Sequence, residues 1–314
     1  MTVDASYLRY AHRRPGMDHE RYPLDNAFAR PPLKWPHGTR VAVWIMPVIE
    51  FFPLDMPLNL VSGGMTRPYP DYWNYTLRDY GNRVGVYRIL RALDEAGFPA
   101  SVAFNAGAAE RDRFLVQEVL RAVHACQPRR LVIGMGLDMA HLHSSAVPRD
   151  VESAWIEAAM ERLRRATGQP IRGWISPGLS ESFVTPDLLA AAGVEYFCDW
   201  MNDELPYGFK TEAGELIAMP HGHELSDLKL IGDYGHTASQ YAEQVIDSFD
   251  FLYREAAEEG GRILSLPLRP WLTGVPHRIA ALERILKHIA SRAGVWATTG
   301  SAILDAWREQ ARRA

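Results

Sequence analysis

From Asn82 to its C-terminus the chain alternates short apolar runs with helical ones, and this constrains the fold more than any other feature. The helical run RVGVYRILRALDEAG stops at Gly97, and the apolar run ASVAF follows. A helix is expected over roughly 112 to 126, then a strand at RLVIG (130–134) and a helix over 149 to 167. Next come the strand IRGWI, the helix TPDLLAAAG, the strand VEYFC and a strand at ELIAMP. Segment 238–258 carries Tyr241, Ala242, Val245, Phe249 and Leu252 on one helical face. RILSLPL, PHRIAALERILKHIA, VWATT and a helix from Ser301 complete the series. With the earlier strand RVAVWIMPV (40–48), this makes about seven strand–helix units whose short apolar strands are of the fully buried kind. Such alternation predicts a parallel sheet covered by helices. Seven or eight units in this length fit a closed or distorted (β/α) barrel better than an open sheet.

The other segments bound the problem. Residues 1–38 are rich in Arg, Pro and His without a sustained period and read as an arm, with a single barrel domain over 39–314. A loop of about 30 residues after the first strand is longer than a compact domain needs, which suggests function. At 47% hydrophobic, 23% charged and a net charge of −4, the chain has the profile of a folded domain with no general attraction to nucleic acid or anionic membranes. Its start has no apolar signal-peptide core, and no apolar run is long enough to span a bilayer, so a cytoplasmic protein is expected. The two cysteines, Cys126 and Cys198, are too few and too far apart for a disulfide framework or a cysteine-built zinc site.

In a β/α barrel the chemistry lies just beyond the carboxyl ends of the strands. Those positions hold Glu50, Asn105, the stretch Met135 to His143, Ser176-Pro177-Gly178, Asp199-Trp200, His221 to Glu224, and Arg269-Pro270-Trp271. Among them are two H-x-H pairs, His141 with His143 and His221 with His223. Imidazoles can act as acid, base or metal ligand, and in a strand an H-x-H pair presents both rings to one face. The plainer alternative is partly solvated loop histidines. Glu50 ends an apolar strand and needs either a cavity or a structural ion pair. Trp73, Trp200 and Trp271 are candidates to line a pocket for a flat or sugar-like ligand, with core packing as the alternative. Phosphate-binding glycine loops, a G-x-S-x-G elbow and H-E-x-x-H are all missing from the sequence.

The strings LRDYGNRVGVYRIL (77–90), GWISPGLSESFVTPDLLAAAGVEYFCDWMNDELPY (173–207) and PWLTGVPHRI (270–279) resemble the polysaccharide deacetylase (NodB-type) superfamily. The likeness is to its branch of metal-independent allantoinase and cyclic-imide hydrolases, and it runs from about Trp35 to Trp307. It implies a distorted (β/α)7-8 barrel of the polysaccharide deacetylase type, hydrolysis of an amide-type C–N bond in a small molecule, and a homodimer or homotetramer. The family's catalytic motifs are altered. Its acidic pair after the first strand reads Glu50-Phe51, and its G-H-G segment reads Gly134-Met135-Gly136. The next family ligand falls near Met139, and the histidine before Pro-Trp reads Arg269. Methionine does not replace histidine on a hard or borderline divalent ion, and arginine cannot serve as a general acid. It can bind a carboxylate or an oxyanion.

The resulting expectation is a C–N hydrolase without a cofactor, with Glu50, His221, His223 and Arg269 as catalytic residues. Met135, Asp138, Trp200, Trp271 and His277 are the expected substrate-binding residues. One alternative is a relocated divalent metal site, such as zinc, on His141 and His143. Another is a binding protein or non-hydrolytic enzyme on an inherited barrel.

Overall fold

The computed structural model describes residues 19–26, 29–56, 69–121 and 130–313. Strand β1 (Val41–Ile49) is its axis. One edge of β1 pairs in parallel with β8 (Arg262–Leu268) from Val41 to Pro47. The other edge is shared between β9 (Val295–Thr298), opposite Val41 to Trp44, and β2 (Ser101–Phe104), opposite Val48 and Ile49. From β2 the sheet continues in parallel through β3 (Leu131–Gly134), β4 (Gly173–Trp174), β5 (Tyr196–Phe197) and β7 (Gly214–Ala218). Strand β6 (Tyr207–Thr211), which the sequence pattern does not announce, pairs antiparallel with β7. The path runs β6-β7-β5-β4-β3-β2-β1-β8, and among the described residues its two ends do not pair. This is the expected distorted barrel, open on one side.

The helices also follow the expected order. α5 (Arg149–Thr167), α7 (Ala238–Glu259), α9 (Ile279–Ala290) and α10 (Gly300–Arg313) match the periodic runs closely. α7 opens with a capping box between Thr237 and Gln240. α2 (Val86–Ala96) ends as predicted, on Gly97 in a left-handed conformation at φ 75°. The run expected at 112–126 holds α4 (Arg113–Leu120), preceded by a short, unexpected α3 (Ala106–Arg111), and residues 122–129, Cys126 among them, lie outside the described residues. Part of the long loop is also helical: α1 (Tyr72–Tyr80) leads through a π turn (Gly81–Gly85) into α2. α6 (Thr185–Ala191) and the short α8 (Pro270–Thr273) complete the set. Among the described residues, no helix is long and apolar enough to cross a membrane.

The period of two along the strands sorts the core into layers. Val41, Val43 and Ile45 pack outward with residues of α2, α7 and α9. Ala42, Trp44, Met46 and Val48 join Ile133, Met135, Ile175, Cys198, Ile217, Met219 and Ile263 inside the barrel. A third cluster packs β2 to β7 under α3 to α6.

The described part of the arm is tied to the barrel. The Arg21 guanidinium meets Asp187 at 2.6 and 2.7 Å, and its backbone C=O accepts from Lys210 N–H. Further along, the Trp35 indole donates to the Arg262 carbonyl at 2.9 Å.

Candidate active site at the barrel mouth

Extending the inward set one step past each strand predicts which side chains meet at the mouth. On β1 the inward series runs 42, 44, 46, 48 and reaches Glu50; on β8 it reaches Arg269; on β7 it runs 217, 219 and reaches His221; on β2 it reaches Asn105; on β3 it reaches Met135. The structure brings Glu50, Arg269 and Trp271 together. Glu50 is 4% exposed, with Arg269 Nε 3.3 Å from one carboxylate oxygen and the Trp271 indole N–H donating to the other at 3.2 Å. The Glu50 main chain is pinned as well, because the Asn82 amide donates to its carbonyl at 2.8 Å.

Two of the strings that carry the family likeness account for this arrangement, because they touch. A Cβ on Gly81 would lie 2.7 Å from the Trp271 nitrogen, and one on Gly85 would lie 2.1 Å from the Pro270 oxygen. A Cβ on Gly274 would lie 2.4 Å from the Gly85 oxygen. Only glycines allow the π turn and α8 to meet backbone to backbone, and that seam sets the indole above Glu50. Arg88 crosses it, donating to the Gly274 carbonyl and the Tyr80 hydroxyl.

His221 is buried, and its Nδ1 lies 2.8 Å from the Cys198 carbonyl. A carbonyl only accepts, so Nδ1 carries the proton and Nε2 is left as an acceptor. Burial first, then His223 and Arg269, push the imidazole down to about 3, so it is neutral at physiological pH. His223, half-buried with its ring centroid 6.2 Å from that of His221, is also shifted down, chiefly by burial and then by Arg269. Met135 and Met139 are buried with Phe52 in the interior apolar cluster, and Asn105 ties them in place. Its oxygen accepts from Phe51 N–H, and its amide donates to the Met135 carbonyl.

Two residues of this cluster carry no signal at a strand end. Asp227 is fully buried and accepts from Arg269 N–H and the Thr273 hydroxyl, both at 2.7 Å, while its other oxygen has no partner. Burial pushes it up to about 6, against the pull of Arg269. Arg78, on α1, is 3% exposed and stacks over the rings of Phe52 (4.4 Å) and Trp271 (5.1 Å).

Other expected site residues are placed elsewhere. His277 is exposed on the turn between α8 and α9, and no contact among the described residues ties it to Glu50 or Arg269. Asp138 caps its own loop, accepting from Ala140 N–H and His141 N–H and meeting the His141 ring at 2.7 Å. His141 packs edge-on against Trp155, and His143 is buried 3.2 Å from Glu152. The two histidines are therefore held by separate carboxylates. Burial alone would raise Glu152, but His143, Thr185 and Ser182 hydrogen bonds bring it below its ordinary value. Trp200 faces the arm: its ring packs with His19, Tyr22 and Phe209, and its N–H donates to Glu181 at 2.6 Å. Beneath it Asp199 accepts from the Ser176 N–H and hydroxyl; burial pushes Asp199 to about 6 and Glu181 upward, the latter also repelled by Asp199.

Among the described residues, no group of three His, Cys, Asp or Glu side chains converges as a metal site. Met135 and Met139 are buried in the interior apolar cluster, and their thioethers are poor ligands for a hard or borderline divalent cation. A cavity of about 880 Å³ lies elsewhere, between the arm and the unclosed side of the barrel near Leu205, Phe251 and Trp307.

No family model matches the chain. A Schizosaccharomyces pombe protein named "Putative polysaccharide deacetylase" is 26% identical over 250 residues, 73% of this chain and 74% of that protein. A probable polysaccharide deacetylase from Pseudomonas aeruginosa PAO1 superposes with TM-score 0.80 at 23% identity, covering 92% of this chain and 99% of the other. Puue allantoinase does so with TM-score 0.79 at 24% identity, covering 92% and 98%. The likeness to polysaccharide deacetylases, and the barrel it implied, are thus borne out, and Puue allantoinase shares the fold.

Proposed function

We propose that this chain, built on the polysaccharide deacetylase barrel, hydrolyses a C–N bond of a small cyclic amide or imide without a bound metal. The observation that carries the reading is Glu50: a buried carboxylate at the inward position of the mouth, held by Arg269 and Trp271, where Arg269 also acts on the neutral His221 imidazole.

In this reading a water molecule donates one hydrogen bond to His221 Nε2 and loses its other proton to Glu50 as its oxygen attacks the ring carbonyl carbon. The carbonyl oxygen becomes an oxyanion, which the Arg269 guanidinium stabilises. Collapse of the tetrahedral intermediate breaks the C–N bond, and the proton on Glu50 passes to the leaving nitrogen. The free enzyme is restored, and the product is an open-chain acid. Arg269 acts through its charge and takes no part as an acid. Met135 and Met139 support the metal-independent course, since they stand where the resemblance implies metal ligands.

The test is ring opening of allantoin, hydantoin and cyclic imides by protein purified without added metal, with metal content measured on the same sample. Turnover by metal-free protein, lowered by about 10²-fold or more in Glu50→Gln, is the expected result. Stoichiometric metal that turnover requires would refute the metal-free course. Equal rates in the wild type and Glu50→Gln would remove Glu50 from the chemistry. A binding or non-hydrolytic role is the second reading, favoured by Arg269 standing where the resemblance implies a general acid; absence of turnover on every ring would support it.

A further inference from the structure

Arg78 presents a binding edge that none of the described residues uses. Its Nη1 donates to the Asn74 side-chain oxygen at 2.9 Å and to the Asn74 carbonyl at 3.3 Å, whereas Nε and Nη2 are buried and have no hydrogen-bond partner. Those two N–H groups lie on one side of the planar guanidinium and point in parallel, matching the two oxygens of a carboxylate. A buried charged donor with two orphan N–H groups is costly, and such a feature calls for an explanation.

The neighbouring anions do not provide one. Glu50 is hydrogen-bonded to Arg269 and Trp271, and its charge acts on Arg78 with no hydrogen bond between the two among the described residues. Asp71 caps α1 by accepting from the Asn74 main chain and side chain. Asp227 is committed to Arg269 N–H and Thr273. The cluster sets Arg78 and Arg269 against Glu50, Asp71 and a partly protonated Asp227, each of them hydrogen-bonded to partners other than Arg78. Phe52 and Trp271 pack against the Arg78 guanidinium and hold it beside the residue that also donates to Glu50.

We infer that Arg78 is a specificity residue, and that the ligand of this site carries a planar carboxylate which docks bidentately on Nε and Nη2 beside Glu50. The inference rests on the same mouth cluster as the hydrolase reading and adds the substrate class: an acid-bearing small molecule, held by its own carboxylate, with its reacting carbonyl directed to Glu50 and Arg269.

Binding separates this inference from catalysis. Acetate, succinamate and benzoate are compared with acetamide, succinamide and benzamide by calorimetry and thermal shift, at ionic strength matched with chloride. At least one acid should bind the wild-type protein about tenfold or more tightly than its amide, as expected for a desolvated charge-assisted pair. That preference should vanish in Arg78→Met and be largely lost in Arg78→Lys, whose ammonium cannot fork. It should persist in Arg83→Met, whose side chain is 76% exposed. Acids binding no better than their amides, or a preference unchanged in Arg78→Met, would overturn the inference. Should Arg78→Met fail to fold, the acid–amide comparison on the wild type and the lysine variant still decide. Glu50→Gln should lose turnover and keep the acid preference. Acid selectivity without any turnover would count against hydrolysis and leave this inference standing.

Discussion

Acidification to about pH 5 should cost the fold about 2 kcal/mol through His221 alone. The imidazole is buried, its Nδ1–H is fixed on the Cys198 carbonyl, and its pKa is held down to about 3. In the unfolded chain it titrates near 6.5. Because the folded value is depressed, the unfolded state takes up a proton first, and stability falls as pH drops from about 6.5 towards 3. At pH 5 the unfolded imidazole is about 97% protonated and the folded one about 1%, which gives roughly RT ln 32, or about 2 kcal/mol. Asp199 and Asp227, raised to about 6, act in the opposite sense between about pH 4 and 6, so the wild-type curve alone is a mixture. His221→Asn retains a donor for the carbonyl and removes the titration. The assay is urea unfolding of both proteins at about pH 8 and pH 5, comparing the two pH-dependent losses. A wild-type loss exceeding that of the variant by about 2 kcal/mol is expected. A difference below about 0.5 kcal/mol would refute the buried neutral imidazole, and with it the free Nε2 acceptor in the proposed mechanism.

Asp227→Asn should stabilise the protein by about 1–3 kcal/mol near pH 8 and have little effect below about pH 4, because the raised carboxyl destabilises the fold only once it ionises; denaturant titrations at both pH values check the sign. Arg21→Ala should cost about 3 kcal/mol or more by stranding the buried Asp187, and adding Asp187→Asn should recover part of it; thermal melts of the single and double variants test that.

The fold was largely legible because buried parallel strands and long amphipathic helices carry strong local periods; β8 and α5 match their expected limits residue for residue. β4 and β5 are only two residues each, and β6 pairs through a turn that apolar patterning does not mark. At the mouth, Glu50, His221 and Arg269 were readable because they follow strands. Arg78 was not: it sits on α1, inside what reads as a loop, and in the string LRDYG it resembles any surface helix charge. Asp227 follows a turn and carries no strand-end signal. Spacing did not reveal the partners of His141 and His143, which lie against two different carboxylates, Asp138 and Glu152. The packing of Trp200 was not legible either: its ring neighbours include Tyr22 of the arm, some 180 residues earlier.

The glycine seam gives the mouth a fixed jaw and an adjustable one. Trp271 and the Asn82 anchor are set by main chain against main chain, where no rotamer can slip and no methyl group can be added. Met135 and Met139, buried in the interior cluster, are by contrast long, unbranched and easily repacked. Variation that retunes this barrel to new ligands should accumulate on the methionine side, while substitutions in the seam should abolish function and fold together.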